Sequence, residues 1–298
     1  SGMVGQEAWE SKWNYLSGSS TGLSSDDIHN VSLGDPTSHA VGHGFGSSAM
    51  ASFFTRWTYN YDDRYLLTYT FRYDGSSNFA ANNKWGFFPS AALKWNVKNE
   101  NWLKGQRWLN ALDLRASYGR TGNDSLSSFS SIQAYTSSTD SYLFDGVQGA
   151  SFYPVRVSSP NLTWEKTDML NIALETSMFN DRLSIGAEFY MSRTKDLLLS
   201  VKTIQSTGYD KRYENLGSTS NKGVELTVQT KNIVTRNFGW NSTLTMSHNK
   251  QMVEDIGQED YVPVISAPSS YMMYGYKAGY PLNSLWGFDY GGVFHNME

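Results

Sequence analysis

A chain of 298 residues has room for one or two ordinary domains, but its composition does not fit a packed soluble core. Aromatic residues reach 15% (19 Tyr, 15 Phe, 10 Trp) while mean hydropathy is −0.47, which suits a wall with one apolar face and one wet face. A formal charge of −4 gives no support to a nucleic-acid partner, and the absence of cysteine excludes disulfides and thiolate metal sites. No apolar run reaches the roughly 18 residues of a transmembrane helix, so a β-barrel is the one way this chain could span a bilayer. Ser1-Gly2-Met3-Val4 lacks the basic and apolar regions of a secretory signal, and the chain is expected to be an internal piece of a longer polypeptide.

The elements follow a period of two. A weak opening strand is expected near 2–10. Over 53–61, Phe53, Thr55, Trp57, Tyr59 and Tyr61 share one face, against Phe54, Arg56, Thr58 and Asn60. Asp62-Asp63 makes a tight turn into a strand over 64–73, where Tyr65, Leu67, Tyr69, Phe71 and Tyr73 oppose Thr68, Thr70 and Arg72. Strands follow over 87–97 and 111–120, then a hairpin of 168–178 and 182–193 across Asn180-Asp181. Strands over 222–231 and 238–248 come next, and a weaker closing strand is expected near 282–294. The fold class is all-β: an antiparallel transmembrane barrel wall.

Connection lengths support that class. Short links at 62–63, 180–181 and about 232–237 alternate with long polar ones at about 11–46, 122–162, 197–214 and 250–280. Outer-membrane barrels sort short periplasmic turns from long extracellular loops in this way. The link over 98–110 is the exception on the short side, and a brief helical turn is expected there. Trp57, Tyr59, Tyr61, Tyr65, Trp95 and Trp240 stand toward the short links, with Trp102, Trp108 and Phe238 nearby. Tyr73 and Tyr118, with Phe71, Trp85, Phe87 and Phe88, stand toward the long ones. Two bands of amphipathic rings are what the membrane–water interfaces select.

Several stretches together resemble the SusC-like TonB-dependent transporters of Bacteroidetes. They are Arg72-Tyr73-Asp74-Gly75-Ser76-Ser77-Asn78-Phe79, Trp85-Gly86-Phe87-Phe88-Pro89-Ser90, Leu114-Arg115-Ala116-Ser117-Tyr118-Gly119, and Trp164-Glu165-Lys166-Thr167. The series continues through Ser192-Arg193-Thr194-Lys195-Asp196, Asn215-Leu216-Gly217, Asn221-Lys222-Gly223-Val224-Glu225 and Gly279-Tyr280-Pro281. The resemblance implies a plugged barrel of about 22 strands, of which this chain supplies roughly ten. The plug, the N-terminal extension and the last strands then lie elsewhere in the polypeptide. It also implies a bacterial outer-membrane location and a SusD-like surface lipoprotein as partner. Energy would come from TonB through a segment not in this sequence, and the cargo would be an oligosaccharide or peptide. The rivals are an outer-membrane adhesin or passive pore, and a soluble all-β glycan-binding module.

Candidate chemistry is sparse, and no cofactor, metal or catalytic residue is assigned. His39 and His43 are four apart, but the Gly-rich segment 40–46 between and after them is expected to be a solvated loop, not a metal-binding helix. Asp74-Gly75 is first a turn signal, and the acidic run 254–260 lacks the spacing of a calcium loop. Glu175 and Glu188 could face each other across their hairpin, on a side that a barrel turns to water. The candidate binding surface is the set Tyr135, Tyr142, Phe144, Phe152 and Tyr153 in the longest loop. Such rings can stack on sugar faces, or equally pin the loop to its neighbours or to a partner.

Overall fold

The computed structural model describes residues 1–209, 211–257, 261–266, 272–282, 284–287 and 291. The strands in chain order are β1 (Gly2–Ser19), β2 (Ala40–Tyr61), β3 (Tyr65–Ser76), β4 (Trp85–Asn96) and β5 (Leu109–Asn123). β6 (Ala134–Phe144), β7 (Val147–Arg156), β8 (Glu165–Met178), β9 (Leu183–Lys195), β10 (Leu198–Lys202) and β11 (Lys211–Asn215) follow. The last are β12 (Ser218–Val234), β13 (Gly239–Asp255), β14 (Val262–Ser266), β15 (Met272–Tyr276) and β16 (Ser284–Gly287).

Nine strands make one antiparallel wall in the order β1-β2-β3-β4-β5-β8-β9-β12-β13. Its outer strands, β1 and β13, are not paired to each other, so the wall is open. Of the roughly ten strands expected, nine are in the wall among the described residues; of the segment 282–294, the described strand β16 pairs with β15 in a separate three-stranded sheet with β14.

Local chemistry sets the short turns. Asp62 and Asp63 both adopt positive φ (52° and 50°), the backbone a type I′ hairpin needs, and Arg64 N–H closes the turn on the Tyr61 carbonyl at 3.0 Å. Phe179, Asn180 and Asp181 turn β8 into β9 with φ of 57°, 55° and 58°. The link between β4 and β5 opens with a 3₁₀ turn at Val97–Asn99, as expected for that segment. Lys98 Nζ holds it by donating to the carbonyls of Leu103 (2.9 Å) and Gln106 (2.6 Å).

Three expectations are corrected. The Gly-rich segment 40–46 is the beginning of β2, paired without interruption to an equally extended β1. Two of its glycines lie beneath rings of β1: a Cβ on Gly46 would stand 2.5 Å from the Trp13 ring, and one on Gly44 2.3 Å from Tyr15. Such glycine–aromatic pairing sustains a strand that the side-chain pattern hides. Asp74-Gly75 likewise stays inside β3 and makes no turn; Gly75 pairs with Trp85, whose ring fills the space a Cβ would take. Finally, Phe88 does not belong to an interfacial band, because it points to the other face and is buried.

The apolar face is exposed. Trp57 is 58% exposed, Leu244 55% and Met246 59%, while the buried apolar residues are few: most lie at the long-loop end, with Val97 and Leu109 beside the β4–β5 link. Among the described residues no second protein layer covers that face, as a soluble sandwich would require. Cross-strand register shows how the greasy band runs. It includes Phe53, Tyr73, Phe87 and Trp85 on β2–β4, reaches Tyr118 on β5 and Met191 on β9, and ends at Val224 on β12. Its upper limit thus slides along the strands, as it must when tilted barrel strands cross a level membrane.

Candidate functional site

The end of the wall opposite the short turns is where structure accumulates. The loop between β5 and β8 contains the hairpin β6–β7, and the loop between β9 and β12 contains β10–β11. The two hairpins join in a four-stranded sheet, β10-β11-β7-β6, through one parallel pairing of Lys211 with Arg156. Arg156 also donates to the carbonyls of Phe129 (2.8 Å) and Ile132 (3.3 Å), and its guanidinium lies 5.9 Å from the Tyr213 ring centroid. Regions expected as polar loops are therefore a built platform.

A small apolar cluster of Phe79, Phe88, Leu162 and Trp164 fastens this platform to the wall. The Trp164 ring is 2% exposed, packs at 5.3 Å from Phe79 and 5.2 Å from Phe88, and its Nε1 donates to the Lys84 carbonyl at 2.9 Å. Phe88 can enter only because Gly122 lies below it; a Cβ there would come within 2.1 Å of the ring. Asn215 ties the second loop in, its Nδ2 donating to the carbonyls of Thr163 and Asp196, both at 2.8 Å, while its Oδ1 accepts from Thr163 N–H at 2.8 Å. Sequence reading missed this anchor. Its one available signal was two aromatic residues flanked by glycine and Trp in otherwise polar segments.

The candidate loop rings all fall on β6 and β7. Tyr135 pairs with Pro154 and Ser137 with Phe152, so Tyr135 and Phe152 share one face of the hairpin. Thr136 pairs with Tyr153, which places Tyr153 on the opposite face. Phe152 is 77% exposed and Tyr135 61%, with Tyr153 exposed to a lesser degree. Tyr142 and Phe144 have backbone partners in Gly149 and Val147, but their side chains lie outside the described residues.

The eight candidate interface rings lie on the outward face. Near the short links Tyr65 stacks on Trp95 at 6.2 Å, and both reach Glu100: Tyr65 Oη donates to Oε1 at 2.8 Å and Trp95 Nε1 at 3.1 Å. Trp57, Tyr59 and Tyr61 line β2 beside them, and Trp240 stands exposed near the start of β13. The hydrogen bond from Tyr65, then that from Trp95, holds the Glu100 carboxyl below the ordinary carboxylate range, with Arg64 and Lys104 adding to it and desolvation opposing. At the other end Tyr73 stacks on Trp85 at 4.9 Å, and Tyr118 donates to Asp168 at 2.8 Å. An apolar ring body with a satisfied polar tip is the arrangement interfaces favour.

The inward face is polar and charged. Arg72 binds Asp74 at 2.7 Å, Ser52 at 2.9 Å and Glu7 at 3.5 Å; Lys94 binds Asp113 at 2.9 Å. Glu175 and Glu188 are diagonal neighbours, not direct partners, and Arg115 bridges them at 3.4 and 3.6 Å. Clamped on one guanidinium, they are ill placed to divide acid and base roles. Gly18-Ser19-Ser20-Thr21-Gly22 has the spacing of a hydrolase nucleophile elbow, a match the sequence reading passed over. Here it ends a strand with no helix following, and Ser20 Oγ meets Ser38 Oγ at 3.3 Å. His39 follows a 3₁₀ turn, and His43 lies in β2 stacked against Phe45. Among the described residues no group of three or more His, Asp or Glu is close enough to hold a metal. Of the acidic run 254–260, residues 258–260 lie outside the described residues.

Residues 5–297 match the family described as TonB dependent receptor-like, beta-barrel. The chain is 39% identical over 242 residues to a TonB-dependent receptor of Formosa agariphila, covering 80% of this chain and 24% of that protein. It is 34% identical over 270 residues to TonB-dependent receptor SusC of Bacteroides thetaiotaomicron, covering 87% of this chain and 26% of that protein. The chain thus spans about a quarter of the length of these curated relatives. The structure of the RagAB peptide transporter superimposes with a TM-score of 0.79 at 26% identity, over 93% of this chain and 30% of that one. An open antiparallel wall, greasy outside and charged inside, with its loops built up at one end, is a piece of an outer-membrane barrel, and this chain belongs to the TonB-dependent receptor β-barrel family.

Proposed function

We propose that this chain is the wall, and part of the capture surface, of an importer that moves an oligosaccharide or peptide across the bacterial outer membrane. Import is driven by TonB and shared with a SusD-like surface lipoprotein. The observation that carries this reading is the loop platform, which presents Tyr135 and Phe152, exposed, on one face of a hairpin at the long-loop end of the wall. The likeness to SusC and to the RagAB peptide transporter supports it. Further strands close the barrel, because unpaired β1 and β13 edges could not stand in hydrocarbon. A plug and a TonB-contacting segment complete it. The step is transport without covalent chemistry: on the inner face Asp74 is held by Arg72, Asp113 by Lys94, and Glu175 and Glu188 by Arg115.

Uptake by cells carrying the full-length protein tests the capture role. With Tyr135 and Phe152 both changed to Ala, uptake should fall and retention of the cargo by the purified complex should weaken. Their exposure predicts a stability change within about 0.5 kcal/mol. Unchanged uptake and retention would remove these rings from the capture surface.

A further inference from the structure

The outward face of β8–β13 carries cations that neither the wall nor the transport reading uses. Register places them step by step above the greasy band. Leu114, Leu174, Ala187, Leu226 and Met246 form one continuous cross-strand row, and Ala116, Ile172, Phe189, Val224 and His248 form the next. All of these residues except Ala116 line a shallow apolar depression of about 570 Å³. The following row replaces apolar groups with Lys222 and Lys250, facing each other directly; beyond it come Arg120, Asp168 and Arg193, then Lys166 facing Lys195.

Two directly opposed Lys–Lys pairs on one face are unfavourable by themselves, since opposed side chains stand only about 5 Å apart at Cβ. Nearby acids answer only part of the charge. Asp168 is engaged by Arg120 at 2.8 and 3.1 Å, Asp196 lies 3.6 Å from Lys166, and Glu254 accepts from Ser220. Arg193 stands directly across from Asp168, whose carboxylate is turned to Arg120; neither it nor Lys222 nor Lys250 makes an ion pair within 4 Å among the described residues, and all three are exposed. The feature is local. At the same end of β2–β4 the outward residues are Phe53, Tyr73, Phe87 and Trp85, with no charge.

We propose that this face binds a membrane lipid whose head group carries phosphate, its acyl chains in the depression and its phosphate held by Lys222, Lys250 and Arg193. The long-loop end of the wall faces outward, so the site belongs to the outer leaflet. Long basic side chains can lie along apolar surface and raise their charged ends to the head-group level, which matches cations one and two rows above the groove. A phosphate monoester brings the negative charge that the opposed lysines lack.

The test uses the full-length protein in mild detergent, with native mass spectrometry after adding short-chain phosphatidic acid, phosphatidylcholine or inorganic phosphate. Phosphatidic acid should be retained in preference to phosphatidylcholine. Replacing Arg193, Lys222 and Lys250 together by Gln should weaken that retention about a hundredfold, and Lys250→Gln alone about fivefold, given the usual effect of one cation at a charged membrane surface. Arg56→Gln, the same loss of charge on the inward face, should leave it unchanged. Heat-modified gel migration shows that each variant remains a folded barrel. Equal retention of both lipids, or equal retention by the triple variant, would overturn the proposal. Displacement of the lipid by inorganic phosphate would make this a soluble-anion site and overturn it too.

Discussion

The wall and the loop platform are both β-sheet, but they are held to different standards. β1 and β2 pair from Gly2 with Trp57 to Ser19 with Ala40 without a register shift, β8 with β9 is equally regular, and the shifts in β5–β8 and β12–β13 fall only at strand ends. In the platform, β6 and β7 shift register twice, and β11 meets β7 through a single pair. Hydrocarbon supplies no hydrogen-bond partner, so a strand crossing it must leave no backbone group unpaired. Above the membrane, water satisfies what a bulge leaves open, and a sheet can be short, irregular and part parallel. Regularity therefore tracks the solvent each sheet meets.

The sharpest break between the two would come at their joint. Trp164→Ala removes a buried ring from the Phe79–Phe88–Leu162 cluster and should cost about 3–5 kcal/mol locally. In the full-length protein, protease cleavage within 124–163 should rise markedly while the barrel keeps its heat-modified gel migration. Loss of both together would mean that wall and platform are one cooperative unit.

A smaller effect separates the two faces of one strand. Leu226 faces outward within the greasy rows and Thr227 faces inward beside it on β12. Leu226→Arg should destabilise the inserted barrel by about 2–4 kcal/mol, and Thr227→Arg by much less, as read from urea unfolding of the full-length protein in lipid. Equal penalties would reverse the assignment of inside and outside.

The smallest effect concerns the short-link side. Glu100 is held below the ordinary carboxylate range by hydrogen bonds from Tyr65 and Trp95. A group whose folded pKa lies below its unfolded one binds fewer protons when folded, so its contribution is present at neutral pH. That contribution is lost as pH falls through the lowered value. Protection of the amides over 97–108, taken relative to their intrinsic exchange rate at each pH, should fall on acidification, and Glu100→Gln should flatten that dependence. An unchanged pH response in the variant would assign it to another group.

Much of the wall was legible from side chains alone. The alternation in 53–61 and 64–73, the Asp62-Asp63 and Asn180-Asp181 turns and the sorting of short from long links are local, because period-two patterning and positive-φ turns are written in neighbouring residues. The Gly-rich start of β2 was not legible: Gly44 and Gly46 have no side chain to alternate, and the rings completing them are on β1, some 30 positions away in chain order by register. Asp74-Gly75 misled for the same reason, its glycine answering to Trp85 on another strand.

By itself, then, the order of residues determined which face of each strand is greasy, where the chain turns tightly, and the kind of barrel it builds. Tertiary structure alone decided that two polar loops join through Arg156 and Lys211, that Trp164 fastens them to the wall, and that Lys222 comes to face Lys250. The division is physical. Alternation and turn chemistry act between residues adjacent in the chain, whereas register, ring-over-glycine packing and opposed charge exist only once distant strands lie about 5 Å apart.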